Sequence, residues 1–310
     1  MKIVFFGSDA FSIKSLEACL HTSGIEFALA VTTPAKKKGR GLKLEPSEVF
    51  EYCLGKNLPV TEYVSLRDPK VAQELLALRP DLFVVASYGK LIPNALLDIP
   101  KYRLNVHPSL LPKYRGSAPI HWPILNGDKE TGVTILDIAE KLDAGDIYDQ
   151  EKIAIDPRTN AAALTSELAR FSYGVLKKVL GEVQAGRLHG IPQNESEATL
   201  APQLSKKDGE ISLPDMTADQ IDRKVRGLQP WPGAYFFMKD ERLAILETGL
   251  PGLDTKAKPG TIVSLEKESG LSVATREGVL SILRVKPEGK REMSAMDFAN
   301  GRRLHPGNIL

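Results

Sequence analysis

The chain has 310 residues, enough for two domains with separate cores. Hydrophobic residues at 42% and charged residues at 26% are the proportions of a soluble globular protein, which excludes a mainly disordered chain. A net charge of +2 gives no global positive field, so a nucleic-acid partner would have to be met by local clusters of basic residues.

Residues 3–6 form a continuous apolar run that ends at Gly7, as expected of a parallel strand buried on both faces. Phe11, Ile13, Leu16 and Leu20 follow at roughly helical spacing. Further strands are predicted at 27–31 and 82–86, with a helix over 69–78 whose first residue is Pro69. This alternation predicts an α/β domain with a Rossmann-like, open and mostly parallel sheet. The first strand–helix junction, Gly7-Ser8-Asp9-Ala10-Phe11-Ser12, lacks the G-x-G-x-x-G pattern, which argues against a nicotinamide cofactor. A long helix is predicted over 160–184, with Ala163, Leu164, Leu168, Phe171, Val175, Val179 and Val183 on one apolar stripe.

Beyond Gly186 the texture changes. Residues 190–205 carry prolines, serines and an asparagine without periodicity and are expected to be a linker. One helical stretch follows at 218–228, and then short β-like runs at 234–238, 243–246, 261–265, 271–275 and 279–285. Glycine and proline punctuate these runs, the pattern of a small β-barrel. The expected division is a first domain over 1–189, a linker over 190–205 and a β domain over 206–310.

Chemically useful residues are densest at Asn105-Val106-His107-Pro108-Ser109-Leu110-Leu111-Pro112. On a strand, period 2 places Asn105 and His107 on one face, and the two prolines then force an extended or turned segment. In an open α/β sheet, ligands bind beyond the carboxyl ends of the strands, where an amide donor and an imidazole would serve acid–base work. A second segment, Leu142-Asp143-Ala144-Gly145-Asp146, lies between two apolar runs and on its own reads as readily as a turn. Cys19 and Cys53 make no metal-ligand spacing, and His21, His121, His189 and His305 share no motif, so no metal is expected. The sparing cysteines, the short N-terminal apolar run and the lack of any stretch near 18 apolar residues lead us to expect a cytoplasmic protein with no membrane contact.

Taken together, the N-x-H-x-S-L-L-P segment and the later L-D-x-G-D segment resemble the folate-dependent formyltransferases. Arg115-Gly116-Ser117-Ala118-Pro119-Ile120, Thr131-Gly132-Val133-Thr134-Ile135 and Trp231-Pro232-Gly233-Ala234 are similar to the branch of that family acting on methionyl initiator tRNA. The resemblance covers essentially the whole chain, and it implies that the C-terminal β domain is OB-like and binds tRNA. It also implies that Asn105, His107 and Asp143 are catalytic, and that Ser109, Leu110, Leu111 and Pro112 form a backbone strip holding the folate. The implied co-substrate is 10-formyltetrahydrofolate and the implied acceptor is the α-amine of charged initiator tRNA, with the protein working as a monomer. Between the second strand and Glu45 lies a basic run, Lys36, Lys37, Lys38, Arg40 and Lys43, with Gly39 and Gly41. By itself it reads as a solvated loop, whereas the resemblance makes it an arm contacting tRNA phosphates, with Arg40 its key residue. A sugar-nucleotide N-formyltransferase would share the Asn–His–Asp set and is the alternative; it would be expected to lack the basic arm.

Overall fold

The computed structural model describes residues 1–38 and 43–310. They divide into two compact units, the first made of Met1–Pro119, Glu130–Ala154 and Thr165–Ala201, the second of Ile120–Lys129, Ile155–Leu164 and Pro202–Leu310.

The first unit is built on a seven-stranded sheet. In chain order its segments are β1 (Lys2–Gly7), α1 (Ala10–Leu20), β2 (Glu26–Thr32), β3 (Lys36–Lys38), β4 (Lys43–Glu45), α2 (Glu48–Gly55), β5 (Val60–Glu62), α3 (Pro69–Leu78), β6 (Leu82–Ala86), α4 (Asn94–Leu97) and β7 (Tyr102–His107). The spatial order β5-β2-β1-β6-β7 is parallel throughout. Two further strands, β8 (Glu130–Leu136) and β9 (Ile147–Ala154), join the β7 edge in antiparallel register. The local reasons are legible in the sequence. Ile3, Val4, Phe5 and Phe6 in β1 have no exposed surface, because helices cover both faces of the central strands. Asp9, Ser47 and Asp68 each accept a backbone N–H at the start of α1, α2 and α3, and Pro69 occupies the first turn of α3.

The Rossmann-like parallel sheet expected from the sequence is present, with the antiparallel β8 and β9 added to it. The basic run after β2 contributes a separate two-stranded ladder, β3 against β4, with Lys36 opposite Glu45 and Lys38 opposite Lys43. The long helix α6 (Ala161–Gln184) was expected to bury Phe171, which is instead 36% exposed. Its buried stripe runs through Leu168, Ser172, Val175, Leu176 and Val179, and Ser172 meets Ser15 of α1 at 3.1 Å. The expected and observed lines share Leu168, Val175 and Val179 and part at one turn, where the polar Ser172, rather than the apolar Phe171, takes the inward position.

The second unit is antiparallel. Along the chain it contains α5 (His121–Asn126), α7 (Ala218–Gly227), β10 (Ala234–Met238), β11 (Glu241–Gly249), β12 (Ile262–Glu266), β13 (Gly270–Ala274), β14 (Val279–Pro287), β15 (Met293–Ser294) and α8 (Ala295–Gly301). The strands run β10-β11-β14-β13-β12, with β15 added on β14. Phe236, Leu243, Ile245, Val273, Leu280 and Ile282 alternate inward from these strands to meet Ile221 and Val225 of α7 and Phe298 of α8. Among the described residues, no helix is long and apolar enough to cross a membrane.

Candidate active site

Strand β7 ends at the carboxyl edge of the parallel sheet, and period 2 sends Asn105 and His107 to the same face. The antiparallel partner β8 sets Leu136 opposite Asn105 and Thr134 opposite His107. The loop after β8 then brings Asp143 back over both side chains. Asn105 Nδ2 donates to Asp143 Oδ1 at 3.1 Å, and the backbone N–H of Gly116 donates to Asp143 Oδ2 at 2.9 Å. His107 Nδ1 lies 3.6 Å from Asp143 Oδ2, within ion-pair range but too far for a hydrogen bond. On the other side of the ring, His107 Nε2 is 3.0 Å from the carbonyl of Tyr114. The Tyr114 carbonyl only accepts, so Nε2 is the donor in that bond, and Nδ1 is the nitrogen turned toward the Asp143 carboxylate. The side chains of His107 and Asp143 are 5% and 6% exposed, so this pairing is made out of water.

Two residues of the site hold left-handed backbone, Asp143 at φ 52° and Tyr114 at φ 67°. Non-glycine residues adopt this region at a cost, and persist there when neighbours fix them. Gly116, at φ 122°, serves a different need. A Cβ at that position would lie 2.8 Å from the carbonyl oxygen of Ala201, so a side chain would push the Gly116 N–H away from Asp143. Gly145 is equally confined, since a Cβ there would approach the Asp137 carbonyl oxygen to 2.0 Å.

The strip 109–112 follows His107 directly, and its peptide groups are largely committed to the protein. Thr134, fully buried, donates from Oγ1 to the carbonyl of Ser109 at 2.6 Å and accepts the N–H of Leu111 at 3.2 Å. Gln150 Nε2 donates both to Thr134 Oγ1 at 2.8 Å and to the carbonyl of Leu111 at 3.0 Å. The Ser109 hydroxyl turns inward onto the carbonyl of Lys113, and Pro112 accepts the N–H of Thr199.

Some of this site was invisible to the sequence reading. Thr134 and Gln150 come from β8 and β9 and are joined to the strip only by the antiparallel pairing. The stretch 190–205 was expected to be a linker, yet up to Ala201 it belongs to the first unit. There Gln193 donates to the carbonyls of Asp143 and Gly145, and Arg115, 3% exposed, bonds both Gln193 and Glu195. Hydrogen bonds from Arg115 and then Lys141 hold the Glu195 carboxyl down at about 2. At the carboxyl ends of β1 and β6, burial pushes the Asp9 carboxyl above its ordinary value, although Ser87 donates to it at 2.5 Å. Asp146, kept apart from the catalytic set, is exposed. Of the basic arm, Lys36 and Lys43 are exposed, Lys37 and Lys38 lie on β3, and Arg40 falls outside the described residues. The arm leaves from the carboxyl end of β2, the same edge of the parallel sheet at which His107 ends β7. No group of three or more His, Cys, Asp or Glu suited to a metal occurs among the described residues.

An open α/β sheet carrying an amide, an imidazole and a carboxylate at its carboxyl edge, followed by an antiparallel β unit, is an arrangement suited to group transfer. The chain belongs to the formyl transferase family: the family's model matches residues 1–180, and that of the formyl transferase C-terminal domain matches residues 203–303. Among curated proteins, the methionyl-tRNA formyltransferase of Thermodesulfovibrio yellowstonii is 40% identical, over 98% of this chain and 97% of its own length. That of Bacillus subtilis is 38% identical over 100% of this chain and 97% of its own. Similar folds occur in the N-formyltransferase of Helicobacter canadensis, solved with folinic acid and dTDP-3-aminofucose, and in HypX of Aquifex aeolicus, solved with tetrahydrofolic acid. The first has a TM-score of 0.67 at 18% identity, covering 91% of this chain and 99% of that one. The second has a TM-score of 0.63 at 19% identity, covering 96% of this chain and 47% of that one.

Proposed function

We infer that the chain transfers the formyl group of 10-formyltetrahydrofolate to the α-amine of methionyl initiator tRNA. The observation that carries this reading is the end-to-end match to methionyl-tRNA formyltransferases, 37–40% identical across both units, combined with the convergence of Asn105, His107 and Asp143. The folate supplies an activated formyl carbon; a C–N bond forms to the amine and the bond to the folate nitrogen breaks. Asn105 spends one amide hydrogen on Asp143 and has a second to donate to the formyl oxygen as that oxygen gains charge. One such donor is worth about 2.7–4 kcal/mol in the transition state. Asp143 takes the proton from the attacking amine, directly or through a water, and its second oxygen is steadied by the Gly116 N–H. The imidazole of His107 offsets the carboxylate's charge and carries a proton toward the leaving nitrogen. For His107 to donate to the formyl oxygen as well, its Nε2 would have to leave the Tyr114 carbonyl.

Residues 109–112 hold the folate, on a backbone kept rigid by Thr134 and Gln150. The basic arm, Lys36, Lys37, Lys38, Arg40 and Lys43, contacts tRNA phosphates, and the unit following residue 205 supplies further tRNA affinity. The enzyme works as a monomer in the cytoplasm. Offering 10-formyltetrahydrofolate with charged initiator tRNA, charged elongator tRNA and an amino-sugar nucleotide side by side tests the reading. Rapid formylation of the initiator tRNA alone supports it, whereas formylation of the sugar nucleotide alone would replace it with the sugar-enzyme reading.

A further inference from the structure

We propose that Gln193, oriented by Arg115, is the positioning residue that holds Asp143 over Asn105 and His107, and that residues 190–201 are a strap lacing the two catalytic loops together. The inference rests on the proton-accepting role given to Asp143 above.

The strap binds both loops in succession. Ile191 exchanges two backbone hydrogen bonds with Ile147, at 2.8 and 2.9 Å, just after the loop that carries Asp143. Gln193 comes next, and its amide nitrogen donates to the carbonyl of Asp143 at 2.8 Å and to that of Gly145 at 2.7 Å. Thr199 then takes the backbone N–H groups of Tyr114 and Arg115, both at 2.9 Å, in the loop that follows His107. Ala201 closes the lacing by accepting the N–H of Ala118 and donating to the carbonyl of Arg115.

Gln193 has a single orientation available. Its oxygen accepts from Arg115 Nε at 3.1 Å and Nη2 at 2.8 Å, while both amide hydrogens go to carbonyls. Turning the amide over would set oxygen against two carbonyl oxygens and the NH2 group against a guanidinium, so every contact would become repulsive. Arg115 is itself fixed, being buried and bonded through Nη2 to Glu195 at 2.7 Å, and Glu195 reaches on to Lys141 in the Asp143 loop. The guanidinium fork matches the amide oxygen as a lysine ammonium would not.

The carbonyl that Gln193 grips is that of Asp143 itself, the residue with left-handed backbone at φ 52°. Held only by its side chain, Asp143 would relax toward ordinary φ and swing its carboxylate off the Gly116 N–H and away from His107. Among the described residues the Gln193 side chain bonds Arg115 and the backbone carbonyls of Asp143 and Gly145, and not the side chains of Asn105, His107 or Asp143, so it acts on the reaction only through placement.

The test is a double-mutant cycle on the full chain, pairing Gln193→Met, which keeps the length and loses both donors, with Asp143→Asn. A misplacement near 1 Å lowers rates about a hundred-fold. Gln193→Met is therefore expected to lower kcat by roughly 30- to 100-fold while the KM values for folate and tRNA change less than about three-fold. On the Asp143→Asn background the same change should add less than about three-fold, because the placed group is already gone. Should Gln193→Met fail to fold, Gln193→Glu retains the bond to Arg115 and turns an oxygen onto the two carbonyls, and the same loss of kcat is expected. Wild-type kcat in a folded Gln193 variant, or losses that multiply in the double mutant, would overturn the positioning role. Wild-type turnover in Asp143→Asn alone would overturn the catalytic assignment and this inference with it.

Discussion

Thr134→Val removes one oxygen from the structure and little else, since the two side chains have nearly the same shape. Three bonds are lost with that oxygen. Thr134 Oγ1 accepts from Leu111 N–H at 3.2 Å and from Gln150 at 2.8 Å, and donates to the Ser109 carbonyl at 2.6 Å. Gln150 is exposed and can turn to water or keep its bond to the Leu111 carbonyl. The Leu111 N–H and the Ser109 carbonyl lie beside a fully buried position and have no such recourse. Each buried group left without a partner costs about 1–3 kcal/mol, and the added methyl returns about 0.8 kcal/mol. With two such groups the net loss of stability is about 1–5 kcal/mol, equivalent to roughly 2–20 °C in melting temperature for a unit of this size. Thermal or urea unfolding followed by circular dichroism measures it, with Thr134→Ser as the control that keeps the oxygen and loses only a methyl. Because the strip 109–112 would be loosened, folate affinity should also fall in the valine variant and be largely kept in the serine variant. If both variants unfold within about 0.5 kcal/mol of wild type, the Thr134 hydroxyl does not organise the strip, and the reasoning is refuted.

Asn105→Ala is expected to lower turnover by about 10²–10³-fold with folate and tRNA affinities little changed, on the oxyanion argument, and near-normal steady-state kinetics would remove it from the mechanism. Arg40→Ala should raise KM for tRNA and flatten its dependence on salt, with folate KM untouched; unchanged kinetics at two salt concentrations would return the arm to a solvated loop. Both cysteines are fully buried, and burial pushes their thiols upward, Cys53 to about 11. A raised thiol pKa leaves almost no thiolate at pH 8, so a thiol reagent should label neither residue until the chain is unfolded, and prompt native labelling would contradict their placement.

Physics at short range accounts for what the sequence made legible. Continuous apolar runs became the buried strands β1 and β6, and Pro69 stood where the missing N–H is harmless, at the start of α3. Alternation along β7 put Asn105 and His107 on one face, because side-chain period in a strand is a property of the backbone itself. Other features depended on which strands pair. The register of β7 on β8 decides that Thr134 and Gln150, distant in sequence, meet the strip after His107. Only the folded chain brings Asp143, 36 residues beyond His107, back onto Asn105 through a left-handed turn that no local preference of aspartate dictates. The stretch 190–201 lacks periodicity because it holds only one 3-10 turn, Glu195–Glu197, and isolated bridges at Ile191 and Leu200. Its bonds run to loops about 50 to 85 residues away, and so it read as a linker while serving as a strap. Local order was encoded where neighbours in sequence satisfy one another, and the site was decided where buried polar groups had to find partners across the fold.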